Sequence, residues 1–295
     1  MLKSLSFVVV CASALALASC SSSSDDASGG RVDVVASTNV WGDLAEQVGG
    51  DLVDVRSIVD DPSADPHSYE ASAQTQLALS KADLVIENGG GYDDFVDTML
   101  GAIDNEPVVV NAVEVSGKTG DDLNEHVWYD FPTVSKVVGE IAVQLDRIDP
   151  KNASTYAANA LALQDKLDDL VRATNDIKAD HAGEGVAITE PVPLYLLENA
   201  GLVNKTPPAF SEAIEEETGV PASALADTKA LFETHAVAAL VYNSQTTGPE
   251  TEQVLAAATS ANVPVVPVTE TLPQGADYVS WMTANIDALR TALTS

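Results

Sequence analysis

From Arg31 onward, short apolar runs alternate with longer stretches in which apolar residues recur every three or four positions. The short runs read as strands at residues 32–37, 52–59, 83–87 and 107–111, and the longer ones as helices at 40–48, 72–81, 93–103 and 132–146. Glycines punctuate the series: Gly49-Gly50 stops the first helix, and Gly89-Gly90-Gly91 makes a loop at the C-terminal end of the third strand. Strands that alternate with helices of this length predict βαβ units around a parallel sheet.

Asp149-Pro150 opens a different kind of segment, with Asp as N-cap and Pro in the first turn. No glycine or further proline follows before Gly183, and Tyr156, Leu161, Leu163, Leu167, Leu170, Val171, Ala173 and Ile177 recur at helical spacing. A helix of about 29 residues is about 43 Å long, enough to run along two domains and fix their relative position. A second series follows, with strands at 186–189, 238–242 and 263–268 and helices at 194–200, 210–218, 223–234, 249–261 and 278–293. The predicted fold class is α/β. Two lobes, each a mainly parallel sheet flanked by helices, are joined by one long rigid helix, with the ligand cleft between them.

The first thirty residues follow another pattern. Lys3 precedes an apolar run of about 13 residues, 5–17, which is short of the roughly 20 that span a bilayer. A charged start, a short apolar run and small residues before Cys20 read as a secretory signal at 1–19. Leu17-Ala18-Ser19-Cys20 resembles a bacterial lipobox, which implies acylation of Cys20 and a chain anchored to the outer face of the cell membrane. Residues 20–30, rich in Ser and Gly, read as the lipidated, flexible tether. The chain then divides into a first lobe at 31–148, the connecting helix at 149–181 and a second lobe at 182–295.

Composition sharpens this picture. Hydrophobic residues make up 45% of the chain but aromatics only 5%, so the interior is aliphatic. About 265 residues remain beyond the tether, room for two cores. Forty-five acidic residues against 14 basic ones give a net charge of −31, a surface that repels nucleic acid and attracts cations. Of the two cysteines, Cys11 lies in the signal and Cys20 carries the predicted lipid. A metal site in the mature fold must therefore be built from histidine and carboxylate.

There are four histidines. His181 and His235 fall in a linker and at a helix end and read as bystanders. His67, in Asp65-Pro66-His67-Ser68-Tyr69-Glu70, and His126, in Glu125-His126-Val127-Trp128-Tyr129-Asp130, lie on loops where an α/β lobe keeps its ligand groups. Taken together, these two motifs resemble those of the cluster A-I metal-binding receptors of bacterial ABC importers, the zinc- and manganese-binding lipoproteins. The similarity runs over essentially the whole mature chain, including Asn88-Gly89-Gly90 and the Asp149-Pro150 helix.

That resemblance implies metal ligands at His67 and His126 in the first lobe. It implies a third at Glu190, in Ile188-Thr189-Glu190 ahead of Tyr195-Leu196 and Gly201-Leu202. The fourth is placed at Asp277, before the last helix, or at a neighbour such as Asn243. It further implies a divalent transition metal as transported ligand, an ABC permease and its ATPase as partners, a lipid-anchored monomer, and no catalysis. Imidazole suits Zn, Mn and Fe, and carboxylate oxygen the harder ions. Residues 116–125 hold no His-rich loop, which leans the metal towards Mn rather than Zn. An extracytoplasmic metallohydrolase using the same histidines is the alternative from another class, though the chain has no HExxH motif. A surface adhesin of the same fold is the third reading, unsupported by any repeat or stalk.

Overall fold

Each strand of both series pairs in parallel with its neighbours, as runs buried on both faces require. The computed structural model describes residues 30–61, 69, 72–120 and 123–295. The predicted signal at 1–19, Cys20 and His67 lie outside the described residues. The first series runs β1 (Val32–Thr38), α1 (Asn39–Gly49), β2 (Val53–Val59), α2 (Ala73–Leu79), β3 (Leu84–Glu87), α3 (Phe95–Leu100) and β4 (Val108–Asn111). A short α4 (Ala112–Ser116) and α5 (Phe131–Ile148) complete it. The sheet order is β2-β1-β3-β4.

A 3-10 turn at Pro150–Asn152 leads into α6 (Ala153–His181), the long connector, of 29 residues. Beyond it come β5 (Gly185–Ile188), α7 (Leu194–Asn199), β6 (Val203–Asn204), α8 (Pro208–Glu215) and α9 (Ala222–Glu233). Then follow β7 (Ala239–Asn243), α10 (Pro249–Ser260), β8 (Val265–Val268) and α11 (Tyr278–Leu293). The second sheet has the order β6-β5-β7-β8, the same winding as the first.

The period-two alternation of the strands decides where the core lies. Val34, Ala36, Leu84 and Ile86 of the first sheet and Val186, Ile188, Ala239 and Val241 of the second belong to one continuous cluster of buried side chains. Their neighbours point the other way. Val35 and Val85 pack with Leu79 and Val96, whereas Ala187, Leu240 and Tyr242 pack with Phe210, Phe232 and Val254. The inner faces of both sheets thus share a core, and only the outer faces have private ones. Arg31–Ser295 accordingly form a single compact unit.

The connector α6 lies in that shared core. Tyr156, Ala160, Leu163, Leu167, Leu170, Thr174 and Ile177 are buried, at intervals of four and three residues. That stripe packs against α1 and α5 of the first lobe and α7 and α11 of the second. Leu161, expected from the pattern to belong to the stripe, is instead 63% exposed, because it falls one position off the four-three series. No helix among the described residues is long and apolar enough to cross a membrane.

Polar ties across the seam hold the lobes together. The Asn39 side chain donates to the Leu272 carbonyl (3.0 Å) and accepts from the Leu272 amide (2.9 Å). Tyr129 donates to the Thr269 carbonyl, Tyr195 to the Asn124 carbonyl, each at 2.7 Å. Lys118, paired within the first lobe with Asp130 at 3.2 Å, stands 4.3 Å above the Tyr195 ring of the second.

Candidate metal centre

Parallel sheets of this winding present their chemistry beyond the C-terminal ends of the strands, where neighbouring connections diverge. In the second lobe that edge carries Glu190, two residues past β5; Asn243, the last residue of β7; and Glu270, two residues past β8. All three are buried: Glu190 is 2% exposed, Asn243 1% and Glu270 3%. Asn243 Nδ2 donates to Glu270 Oε1 at 2.8 Å, and the Glu270 amide donates to Gln245 Oε1. Across the seam, the Tyr92 hydroxyl donates to Glu270 Oε2 at 3.2 Å. One oxygen of Glu190, Oε2, is buried without a hydrogen-bond partner.

The first lobe answers with His126, fully buried just before the 3-10 turn at Val127–Tyr129. Its ring meets Tyr92 and Trp128 edge-on, with centroids 5.8 and 5.0 Å away. Nδ1 donates to Asn124 Oδ1 at 2.7 Å, while Asn124 Nδ2 donates to the Pro191 carbonyl at 3.1 Å. One amide therefore fixes the imidazole and ties it to the second lobe. With Nδ1 engaged, Nε2 is the nitrogen left for a ligand. It faces Glu215, the last residue of α8, whose Oε1 is 3.2 Å away.

Charge dominates this pocket. Burial, followed by the nearby charges of Glu215 and Glu270, pushes the Glu190 carboxyl up to about 8. Burial on its own lowers the His126 imidazole, but the facing Glu215, with Glu125 and Glu270 beyond it, pushes it up to about 9. Glu125, His126 and Glu215 offer ligand atoms all within 4.8 Å of one another. A cavity of about 400 Å³, lined by Asn124, Glu125, Pro191, Glu212, Glu215 and Glu216 among others, adjoins the cluster. Another groove, of about 600 Å³, lies between α9 and α10 by Lys229 and His235 and contains none of these donors.

Of the residues expected from sequence, His126 and Glu190 come together here, with Asn243 beside them. Asp277 does not. It is exposed at the N-cap of α11, where its carboxylate accepts from the Ser280 amide at 2.7 Å and Ser280 Oγ accepts from the Asp277 amide at 3.1 Å. Its surroundings are Ser280, Lys166 and Val279, not the buried carboxylates. An Asp ahead of an amphipathic helix is the signature of a cap, and that is the work it does. The buried carboxylate of this segment is Glu270, seven residues earlier. Sequence reasoning singled out neither Glu270 nor Glu215 as part of this pocket; position shortly after a strand was the signal available for the first.

Comparison with known proteins places the chain in a family and its fold among solved structures. Residues 34–292 match the model of the family described as zinc-uptake complex component A, periplasmic. The manganese ABC transporter substrate-binding lipoprotein PsaA of Streptococcus pneumoniae is 31% identical over 183 residues, which cover 57% of this chain and 59% of that protein. The manganese-binding lipoprotein MntA of Bacillus subtilis is 28% identical over 144 residues, covering 46% and 47%. The chain thus spans less than two thirds of the length of these relatives. Among solved structures, the periplasmic zinc-binding protein TroA from Treponema pallidum superimposes with a TM-score of 0.73 at 21% identity, over 90% of this chain and 99% of that one. The Ni²⁺ complex of FpvC from P. aeruginosa does so with a TM-score of 0.73 at 20% identity, over 90% and 97%. These likenesses establish the fold.

Proposed function

Because the chain belongs to the family of periplasmic zinc-uptake component A proteins, we propose that it is an extracytoplasmic solute-binding protein that captures a divalent transition metal between its lobes. It then hands the ion to an ABC permease powered by its ATPase. The ion is cargo, and the protein performs no chemistry on it. His67 and His126 supply imidazoles from the first lobe, Glu190 and Glu270 carboxylates from the second. Glu270 takes the role that the sequence pattern suggested for Asp277. Asn243 completes the arrangement by holding Glu270.

The observation that carries this proposal is the burial of Glu190 and Glu270 in one pocket with Glu215, whose carboxylate oxygens are buried against the His126 imidazole. Like charges removed from water repel strongly and are tolerated when protonated or neutralised by a cation. A divalent ion removes the repulsion and bridges the lobes, so it binds the closed form better than an open one. Mn, Zn and Fe all suit such a mixed donor set. The protein acts as a monomer held at the cell membrane by lipid on Cys20, after removal of the signal at 1–19.

Thermal unfolding tests the proposal. A ligand at about 1,000 times its dissociation constant stabilises the native state by about 4 kcal/mol, a shift of several degrees. Metal-stripped protein that melts at the same temperature with and without Mn or Zn would refute a receptor role.

A further inference from the structure

Glu215 is the feature of the pocket that the four-ligand scheme leaves unused. It ends α8, a helix from the outer layer of the second lobe, yet both carboxylate oxygens are buried. A carboxylate that merely orients a metal-binding histidine sits on the nitrogen facing away from the ion. In this site that nitrogen, Nδ1, is already held by Asn124. Glu215 lies instead on the Nε2 side, at 3.2 Å, the side from which His126 must bind. Atoms that ligate the same ion at bonds of about 2.0–2.2 Å lie roughly 3 Å apart, so this ion pair already has the spacing that two neighbouring donors require. The partnerless Oε2 of Glu190 belongs to the same pocket, where Glu215 is the strongest of the neighbouring charges acting on Glu190.

We infer that Glu215 is an additional metal ligand, contributed from the end of α8, and that it sets the selectivity of the site. The inference rests on the receptor role proposed above. Beside the His126 imidazole, Glu190, Glu215 and Glu270 bring three carboxylates into the pocket, a donor set with an oxygen majority. Zinc sites are built on four donors, nitrogen and sulfur prominent among them, whereas manganese suits oxygen-rich, six-coordinate sites. With Glu215 engaged, the site prefers manganese-like ions. Without it, the share of oxygen donors falls, and the set moves towards what a four-coordinate zinc ion takes.

Equilibrium competition against a chelator, run with Mn²⁺ and with Zn²⁺ on the full-length protein, tests this. In Glu215→Gln, which keeps the shape and removes the charge, Mn affinity should fall roughly tenfold or more, Zn affinity by a clearly smaller factor, so that the Mn/Zn ratio shifts towards Zn. Glu217→Gln, an exposed neutralisation outside the cavity lining, should leave the ratio as in the wild type. Glu215→Asp, which retains the carboxylate, should restore part of the lost Mn preference. An unchanged ratio in Glu215→Gln, equal losses for both ions, or the same shift in Glu217→Gln would overturn the assignment. Wild-type protein that bound neither ion would instead overturn the receptor role itself. Should Glu215→Gln prove unfolded by circular dichroism, Glu215→Asp decides alone: a ratio shifted towards Zn supports ligation, and a wild-type ratio opposes it.

Discussion

The two sheets are wound alike, β2-β1-β3-β4 and β6-β5-β7-β8, yet their C-terminal edges serve different ends. In the first lobe the acidic groups at that edge are spent on their own loops. Glu87, ending β3, accepts from Asn111 Nδ2 at 2.8 Å, and Asp93 accepts from the amides of Asn88 and Gly89, each at 2.7 Å. Gly89 is required in this loop, since its φ is +75° and a Cβ there would run into the Asn111 side chain. In the second lobe, Glu270 accepts from Asn243 of its own sheet but also from Tyr92 across the seam, and Glu190 keeps one buried oxygen without a hydrogen bond. The same topology therefore yields a scaffold for an imidazole on one side and a concentration of negative charge on the other. Function resides in what each strand end carries, while the winding supplies only the place.

This contrast can be broken from the imidazole side with the largest effect. His126→Ala should weaken Mn and Zn binding by roughly 100-fold or more, in line with the loss of a ligand rather than its support. Chelator competition measures it, and near wild-type affinity would remove His126 from the site.

The charged side is read out by pH in the metal-free protein. Glu190, held at about 8 in the fold against an ordinary 4.5, adds stability that is complete below 4.5 and lost as pH rises through 8. His126, at about 9 against 6.5, adds stability that is complete below 6.5 and lost as pH rises through 9. Both act in one direction, so the melting temperature of the apo protein should fall by roughly 5 °C or more between pH 6 and pH 9. Glu190→Gln should flatten that slope. A melting temperature that rose over this window would contradict the electrostatics described for the pocket.

A smaller effect is expected at the seam. Asn39→Ala removes both hydrogen bonds to Leu272 and should cost about 1–3 kcal/mol of stability by chemical denaturation. The smallest concerns Asp277. Replacing it with Ala should cost about 1 kcal/mol, the usual effect of a lost N-cap, and leave metal affinity as in the wild type. A drop in affinity comparable to that of Glu190→Gln would return Asp277 to the site.

Much of the fold could be read from the chain because periodicity reports burial. The expected strand at 32–37 is β1 (Val32–Thr38), and the expected last helix at 278–293 has the observed bounds. What escaped was too short to have a period: α4, of five residues, and β6, of two. In the pocket, His126 and Glu190 were legible because each stands in a recognisable sequence context. Glu270 sits between two threonines with no periodic neighbour, and Asp277 outshone it by carrying a cap signature. Glu215 belongs to the run Glu215-Glu216-Glu217, in which nothing local tells the half-buried residue, with its carboxylate oxygens turned inward, from its exposed companions. Burial there is decided by the docking of α8, a tertiary fact.

The inner faces of both sheets and the stripe on α6 form one apolar cluster, and this bears on how the molecule can be taken apart. Halves that own separate interiors can be expressed alone, exchanged between relatives or melted one after the other. Here each half, cut free, would expose Leu163, Leu167 and Leu170 or the strand residues that cover them. Calorimetry should record a single cooperative transition for Arg31–Ser295, and chimaeras joined within α6 should fold only when the parental sequences match along its whole buried stripe. Arg31–Ser295 thus has two lobes and is indivisible as an engineered part.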